Sequence, residues 1–96
     1  MVAGDAEMPN YVVTAIQRTP NPNALKFILD HVISKQPLSF FNPEAAGDHE
    51  IACRLFQVSG ISSLLLLGDF LTVNKRPEAS WKAIKASVCE ILLKLD

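Results

Sequence analysis

Four stretches of the chain carry the pattern of hydrophobic and polar residues that is typical of β-strands. Residues 11–17 are rich in β-branched and aromatic side chains, and residues 25–30 alternate between a more apolar and a more polar face. Residues 61–67 and 70–75 are also strand-like. The glycine–aspartate pair at 68–69 suits a two-residue hairpin, because glycine readily takes a positive φ angle. We therefore predict four strands, the last two joined as a hairpin.

Two further stretches have the spacing of helices. Residues 48–58 place apolar side chains at i, i+3 and i+4, with Asp48 as the expected N-cap and Gly60 marking the end. Residues 81–95 begin after Ser80, a second expected cap, and repeat apolar side chains on one face. The residues of that apolar stripe are Trp81, Ile84, Val88, Ile91, Leu92 and Leu95.

The remaining segments are predicted to lack regular structure. Residues 19–23 contain two prolines, which fix φ and remove two backbone donors, so a stiff connector is expected there. Residues 30–48 contain two prolines and a glycine among scattered apolar residues, which indicates an irregular crossing, with a short turn of helix as an alternative for part of it. Residues 1–10 show no apolar periodicity. We predict a disordered leader over residues 1–10 and a single domain over residues 11–96.

The order strand, strand, helix, strand, strand, helix predicts an α+β fold. We expect a two-layer sandwich in which two helices cover one face of a four-stranded, mainly antiparallel sheet. The chain has 96 residues, of which 49% are hydrophobic and 20% charged, as expected for one small domain with a well-filled core. The adjacent Phe40 and Phe41 cannot both face one core on an extended chain, so one of them is expected at the surface.

Charge and hydropathy argue against two classes of partner. Nine Lys and Arg against ten Asp and Glu give a net charge of −1, so no basic field is available for nucleic acid. The longest apolar run, residues 64–67, is far shorter than the roughly 20 residues of a membrane span. The first ten residues carry no targeting pattern, and the two cysteines form no Cys-x-x-Cys pair. We therefore expect a cytoplasmic protein with free thiols.

Four motifs, in residues 19–27, 52–61, 69–75 and 81–85, together resemble one known family. They read Thr19-Pro20-Asn21-Pro22-Asn23-x-Leu25-Lys26-Phe27, Ala52-x-x-Leu55-Phe56-x-Val58-x-Gly60-Ile61, Asp69-Phe70-Leu71-Thr72-Val73-Asn74-Lys75 and Trp81-x-x-Ile84-Lys85. This combination resembles the N-terminal domain of Nfu/NifU-type iron–sulfur cluster scaffold proteins. The likeness covers about residues 11–95.

The resemblance implies a connection with iron–sulfur cluster assembly. In that family, a second domain usually follows, and its Cys-x-x-Cys pair holds the cluster between two subunits. Because this sequence has no such pair, we expect a stand-alone copy of the accessory half. The implied function is a non-enzymatic protein-interaction module in cluster assembly or delivery. Its expected partners are iron–sulfur assembly proteins or apo client proteins, and a cluster is expected only through a partner, not as a directly bound cofactor.

The proline–asparagine connector is the main candidate for a partner-binding surface. Its rigid rings and amide groups offer another protein a surface that loses little conformational entropy on binding. The simpler interpretation is a fixed turn in which each asparagine bonds its own backbone, with an ordinary solvated lysine on the next strand. The candidate partner-binding residues are Thr19, Pro20, Asn21, Pro22, Asn23 and Lys26.

The cysteines and one histidine are the candidates for metal chemistry. His49 and Cys53 are spaced i, i+4 on the first helix, but two ligands do not make a closed metal site, and a Cys–His dyad is a further alternative. A capping histidine and a small half-buried cysteine explain the same pattern. A homodimer that pools Cys53 and Cys89 from two chains is the alternative function, because it supplies four thiolates for iron or an iron–sulfur cluster. No catalytic motif is visible, so we expect no enzyme activity and no metal site in the single chain.

Overall fold

Two helices cover one face of a five-stranded antiparallel sheet in the computed structural model, which describes residues 10–95. Most of the predicted leader, residues 1–10, lies outside the described residues. Its last residue, Asn10, accepts a hydrogen bond at Oδ1 from the Leu95 backbone N–H, at 2.9 Å. The elements are β1 (Val13–Arg18), β2 (Ala24–Leu29), β3 (Ser34–Phe40), a 3-10 turn (Pro43–Ala46), α1 (Glu50–Phe56), β4 (Ile61–Gly68), β5 (Phe70–Lys75) and α2 (Trp81–Leu93).

The strands lie in the order β1-β2-β5-β4-β3, and every neighbouring pair is antiparallel. The predicted hairpin between β4 and β5 is confirmed, with Leu67 opposite Phe70. Gly68 has φ +58°, as the first central position of a type II′ turn requires. The turn carbonyls of Gly68 and Asp69 accept hydrogen bonds from the N–H groups of Ile33 and Leu29, so the hairpin tip is joined to both flanking strands.

The core lies between one face of the sheet and the two helices. Leu25, opposite Val73, and Phe27, opposite Leu71, are buried on this face because side chains alternate along each strand. The buried helix residues belong to the same cluster as these strand residues. They are Ile51, Ala52 and Leu55 in α1, and Ile84, Val88 and Leu92 in α2.

The predicted sheet of four strands is wrong by one strand. Residues 30–48 were expected to cross irregularly, but they include β3, an edge strand that pairs with β4 and with no other strand of the described residues. Its register shifts between Ser34 and Leu38, around Pro37, which has no N–H to donate. An edge strand tolerates a proline at such an irregularity, and this strand has no clear alternation. The β3 segment is therefore a strand because it pairs with β4, and its own sequence pattern does not indicate one.

The two predicted helices are confirmed, with one correction at a cap. His49, not Asp48, caps α1: its Nδ1 accepts a hydrogen bond from the Ala52 N–H at 3.2 Å. Ser80 holds the N-cap position of α2 but makes no side-chain capping bond. None of the helices in residues 10–95 has the length and apolar character that crossing a membrane requires.

One of the two adjacent phenylalanines is exposed, as the sequence predicts. Phe40 is buried at the end of β3, whereas Phe41 is 79% exposed. Phe40 also contacts the ring of His49, with ring centroids 5.2 Å apart. The capping histidine is therefore held by the core as well as by the helix that it caps.

We predict that replacing Gly60 with alanine destabilises the domain more than the same change at Gly68. Gly60 has φ +97°, and an added Cβ would lie 2.6 Å from the Cβ of Ala79. Gly68 has φ +58°, but an added Cβ would meet nothing within 4 Å. We expect Gly60→Ala to lower the free energy of unfolding by about 2–4 kcal/mol and Gly68→Ala by about 1–2 kcal/mol. Urea denaturation measures both values, and equal losses would contradict the steric explanation.

Candidate functional site

A groove opens between the edge strand β1, the proline–asparagine turn and the first turns of α2. Its volume is about 510 Å³. We call it the β1–α2 groove. Its lining residues, by element, are Ile16 and Arg18 of β1, Thr19, Pro20, Asn21 and Pro22 of the turn, Ala24 and Leu25 of β2, and Trp81 and Lys85 of α2.

The turn is held by hydrogen bonds between its own residues. The Asn21 Oδ1 accepts a hydrogen bond from the Asn23 backbone N–H at 2.8 Å, which makes an Asx turn. The Thr19 Oγ1 accepts one from the Asn21 N–H at 3.1 Å. The Asn21 carbonyl then accepts one from the Ala24 N–H at 3.0 Å, where β2 begins. Hydrogen bonds of this kind are the ones expected if these residues form a fixed turn, the simpler interpretation of the sequence.

Contacts from β5 and α2 hold the turn in place. The Asn23 Oδ1 accepts a hydrogen bond from the Lys75 Nζ at 3.1 Å, and the Trp81 Nε1–H donates to the Pro22 carbonyl at 2.9 Å. The Lys75 ammonium also lies 5.8 Å from the centre of the Trp81 ring, within the range of a cation–π contact. Pro20, Asn21 and Pro22 are exposed in the groove wall, although the side-chain oxygens of both asparagines bond within the chain.

The groove combines apolar surface with positive charge. Ile16 is 38% exposed on β1, and the buried Leu25, opposite Arg18, also lines the groove. Arg18 and Lys85 are the charged side chains among the described lining residues, and both are exposed. No aspartate or glutamate is among those lining residues. A groove of this kind suits a ligand that carries apolar groups and negative charge.

Lys26 lies apart from the rest of the predicted partner-binding set. It sits between the buried Leu25 and Phe27, so its side chain is on the opposite face of the sheet from the helices. Its Nζ lies 4.1 Å from the centre of the Phe70 ring. Thr19, Pro20, Asn21 and Pro22 line the groove and Asn23 anchors it, whereas the Lys26 charge lies on the other face of the sheet and does not line the groove.

Six of the groove-lining residues were not among the candidate partner-binding residues: Ile16, Arg18, Ala24, Leu25, Trp81 and Lys85. Ile16, Arg18 and Lys85 come from two elements that are far apart in the sequence, and no motif joins them. Trp81, which the sequence places on the apolar stripe of the second helix, is half-buried against the core and the groove wall, with its N–H on the turn. The local signals were the position of Arg18 directly before the proline–asparagine turn and that of Lys85 in the motif that begins with Trp81.

The candidate metal ligands do not converge on one point. The Nδ1 of His49 accepts the capping hydrogen bond of α1, and the Cys53 thiol donates to the Gly47 carbonyl at 3.2 Å. Cys89 is half-buried on α2, and burial raises the pKa of its thiol. Within residues 10–95, no three His, Cys, Asp or Glu side chains are grouped so that they could hold a metal ion.

The chain matches the family model described as scaffold protein Nfu/NifU N terminal, over residues 13–95. The human protein named NFU1 iron-sulfur cluster scaffold homolog, mitochondrial, is 36% identical over 80 residues, which are 81% of this chain. The Drosophila erecta protein of the same name is 33% identical over 79 residues, 80% of this chain. The matched regions make up 32% and 28% of those two relatives, so the chain spans about a third of their length.

Two solved structures share the fold. The solution structure of a NifU-like protein from Saccharomyces cerevisiae has a TM-score of 0.72 and 27% identity, and the match covers 86% of this chain and 77% of that one. The crystal structure of a Staphylococcus aureus protein has a TM-score of 0.69 and 22% identity to this chain. The match covers 83% of this chain and 96% of that protein's chain. With the family model matched over nearly the whole described chain, the protein belongs to the Nfu/NifU N-terminal family.

Proposed function

We propose that this chain is a non-enzymatic accessory module in iron–sulfur cluster assembly or delivery. Membership of the Nfu/NifU N-terminal family supports the pathway, since the curated relatives are named as iron–sulfur cluster scaffold homologs. The module acts by binding assembly proteins or apo client proteins through the β1–α2 groove. The cluster is carried by a partner, and this chain supplies the docking surface.

The observation that most supports this docking function is that the walls of the β1–α2 groove are fixed by contacts within the chain. The Asx turn, the Lys75 bond to Asn23 and the Trp81 bond to Pro22 fix one wall relative to α2. A surface that is rigid before binding loses less conformational entropy when a partner docks, so more of the contact energy appears as affinity. Proline rings contribute to this, because their φ angles are fixed by the side chain.

The charge of the groove indicates the chemistry of the partner. The whole chain has a net charge of −1, yet among the described residues that line the groove the charged ones are the cations Arg18 and Lys85. A partner with an apolar side chain flanked by carboxylates complements this surface. The cytoplasmic location expected from composition stays a prediction, and the names of the relatives describe those proteins as mitochondrial.

Cluster binding by a homodimer is less well supported. Cys53 lies on α1 with its thiol directed at the Gly47 carbonyl, and Cys89 lies on the other helix. A thiol must lose its proton to bind iron, and burial raises the pKa of Cys89. The docking function needs neither thiol, so it is the proposal that we retain.

We predict that reversing one charge in the groove abolishes recruitment of iron–sulfur proteins. Lys85→Glu places a carboxylate in the groove, whereas Lys82→Glu makes the same change on an exposed part of α2 that does not line it. Affinity-tagged wild-type chain and the Lys82→Glu control are expected to co-purify cluster-assembly or apo client proteins. Lys85→Glu is expected to retain about a tenth or less of that yield, measured by quantitative mass spectrometry.

Two results would contradict the proposed function. One is a wild-type chain that enriches no iron–sulfur assembly or client protein above a tag-only control. The other is equal enrichment by Lys85→Glu and Lys82→Glu, which would place the docking surface elsewhere on the molecule. Circular dichroism of both variants establishes that each is folded before the comparison is made.

We predict that the thiol of Cys89 reacts at higher pH in the folded chain than in the unfolded chain. The thiolate is the reactive form, and burial raises the pKa of this thiol, so at a given pH near neutrality less thiolate is present. The Cys53→Ser variant leaves Cys89 as the single cysteine. The rate at which iodoacetamide alkylates this variant is measured as a function of pH. The midpoint of that pH profile should lie higher for the folded variant than for the same variant unfolded in urea. Coincident profiles would show that Cys89 is a free, ligand-competent thiol.

A further inference from the structure

The outer edge of β1 is an open strand edge beside the β1–α2 groove. Within residues 10–95, β1 pairs with β2 on one side and with no strand on the other. The opposite edge strand, β3, is protected by Pro37, the register shift around it and the exposed Lys35. Between Ala15 and Arg18, β1 has no proline and pairs regularly. This edge is therefore the one suited to accepting another strand.

The hydrogen bonds of β2 identify which backbone groups of β1 face outward. The Leu29 N–H donates to Asp69, and the Asn23 carbonyl accepts from the Lys75 N–H, so odd-numbered residues of β2 bond toward β5. Even-numbered residues must then bond toward β1, because the two sides of a strand alternate. Lys26 and Ile28 lie opposite Gln17 and Ala15, which therefore bond toward β2.

The intervening residues, Ile16 and Arg18, direct their N–H and C=O groups away from the sheet. Their side chains lie on the same face as the core, since Ile16 is opposite Phe27 and Arg18 is opposite Leu25. Both side chains line the β1–α2 groove. The two residues thus present groove-lining side chains together with backbone groups that pair with no strand within residues 10–95.

We infer that β1 binds an extended segment of the partner protein as a sixth strand, antiparallel to β1, with an acidic side chain next to Arg18 and an apolar side chain next to Ile16. The inference rests on the proposed function for the identity of the partner. Backbone hydrogen bonds along the edge supply affinity, and the two groove-facing side chains supply specificity. The antiparallel direction follows every other pair in this sheet.

Charge favours such a segment over a second copy of this chain. The sequence of β1, Val-Thr-Ala-Ile-Gln-Arg, contains one charged residue, and that residue is a cation. A second β1 would therefore bring another arginine to an edge whose groove already holds Arg18 and Lys85. A segment with a glutamate or aspartate instead neutralises these charges.

The first experiment measures amide hydrogen exchange by NMR in the free chain and with a synthetic peptide. The probe is Ser-Thr-Glu-Thr-Val-Thr-Ser, whose glutamate and valine lie opposite Arg18 and Ile16 in the antiparallel register. The amides of Ile16 and Arg18 should exchange rapidly in the free chain and slow on addition of about millimolar peptide, a concentration that detects weak binding. Those of Ala15 and Gln17 should be protected in both states.

The second experiment uses modified peptides to separate strand pairing from side-chain contact. The groove-facing residues of the peptide are those whose N–H groups point at β1, so N-methylation of its glutamate and valine should abolish binding. N-methylation of the neighbouring threonines should leave binding within about twofold. Arg18→Glu should weaken binding of the glutamate peptide by about tenfold or more and favour a lysine-containing version, whereas Lys82→Glu should leave both unchanged.

Three results would overturn the inference. The first is that the peptide leaves the amide exchange rates of Ile16 and Arg18 unchanged. The second is that the peptide N-methylated at glutamate and valine binds as tightly as the one N-methylated at the threonines. The free chain can also sediment as a dimer with these two amides already protected, which would make a second copy the occupant. None of these outcomes depends on recruitment of iron–sulfur proteins, so peptide binding can succeed where the proposed function fails, and the reverse.

Discussion

Burial of one face of the sheet under two helices is the constraint on which the rest of the molecule depends. Phe27, Leu66, Leu71 and Val73 are essentially inaccessible to solvent on that face. Their alternation along neighbouring strands sets the register, because a shift by one residue would turn each of them to the opposite face. The helices do not extend fully over β1, and Ile16, which lies on the covered face, stays 38% exposed. The β1–α2 groove is thus the part of the core face that the helices leave uncovered.

The rigid turn beside that margin joins packing to proposed function. Trp81 and Lys75 hold the turn from two different elements, so the groove wall moves with the core and not as a free loop. The same bonds occupy the side-chain oxygens of Asn21 and Asn23, so recognition falls mainly to the exposed proline rings, the exposed cations and the edge of β1. Hydrogen bonds inside the domain therefore determine which groups remain for a partner.

Local patterns were sufficient where the structure is local. The β4–β5 hairpin follows from a glycine at the turn between two apolar segments, and α2 follows from its apolar repeat. The first helix was located correctly, but its cap was assigned to Asp48, whereas His49 fills that position with its ring against Phe40. Both residues can cap a helix, and contact with the core distinguishes them. The candidate turn was recognised from its prolines. Lys26, the third residue of the strand that follows it, lies on the face of the sheet opposite the groove.

The sequence by itself determined the α+β class, four of the five described strands, both helices and the family resemblance, because periodicity and turn chemistry are properties of neighbouring residues. Only the tertiary structure decided that β3 is a strand, since it lacks a local pattern and is defined by pairing with β4. It also brought Arg18 and Lys85 to one groove and joined Trp81 to Pro22. Those contacts link residues far apart along the chain, and they form only when the helices pack on the sheet.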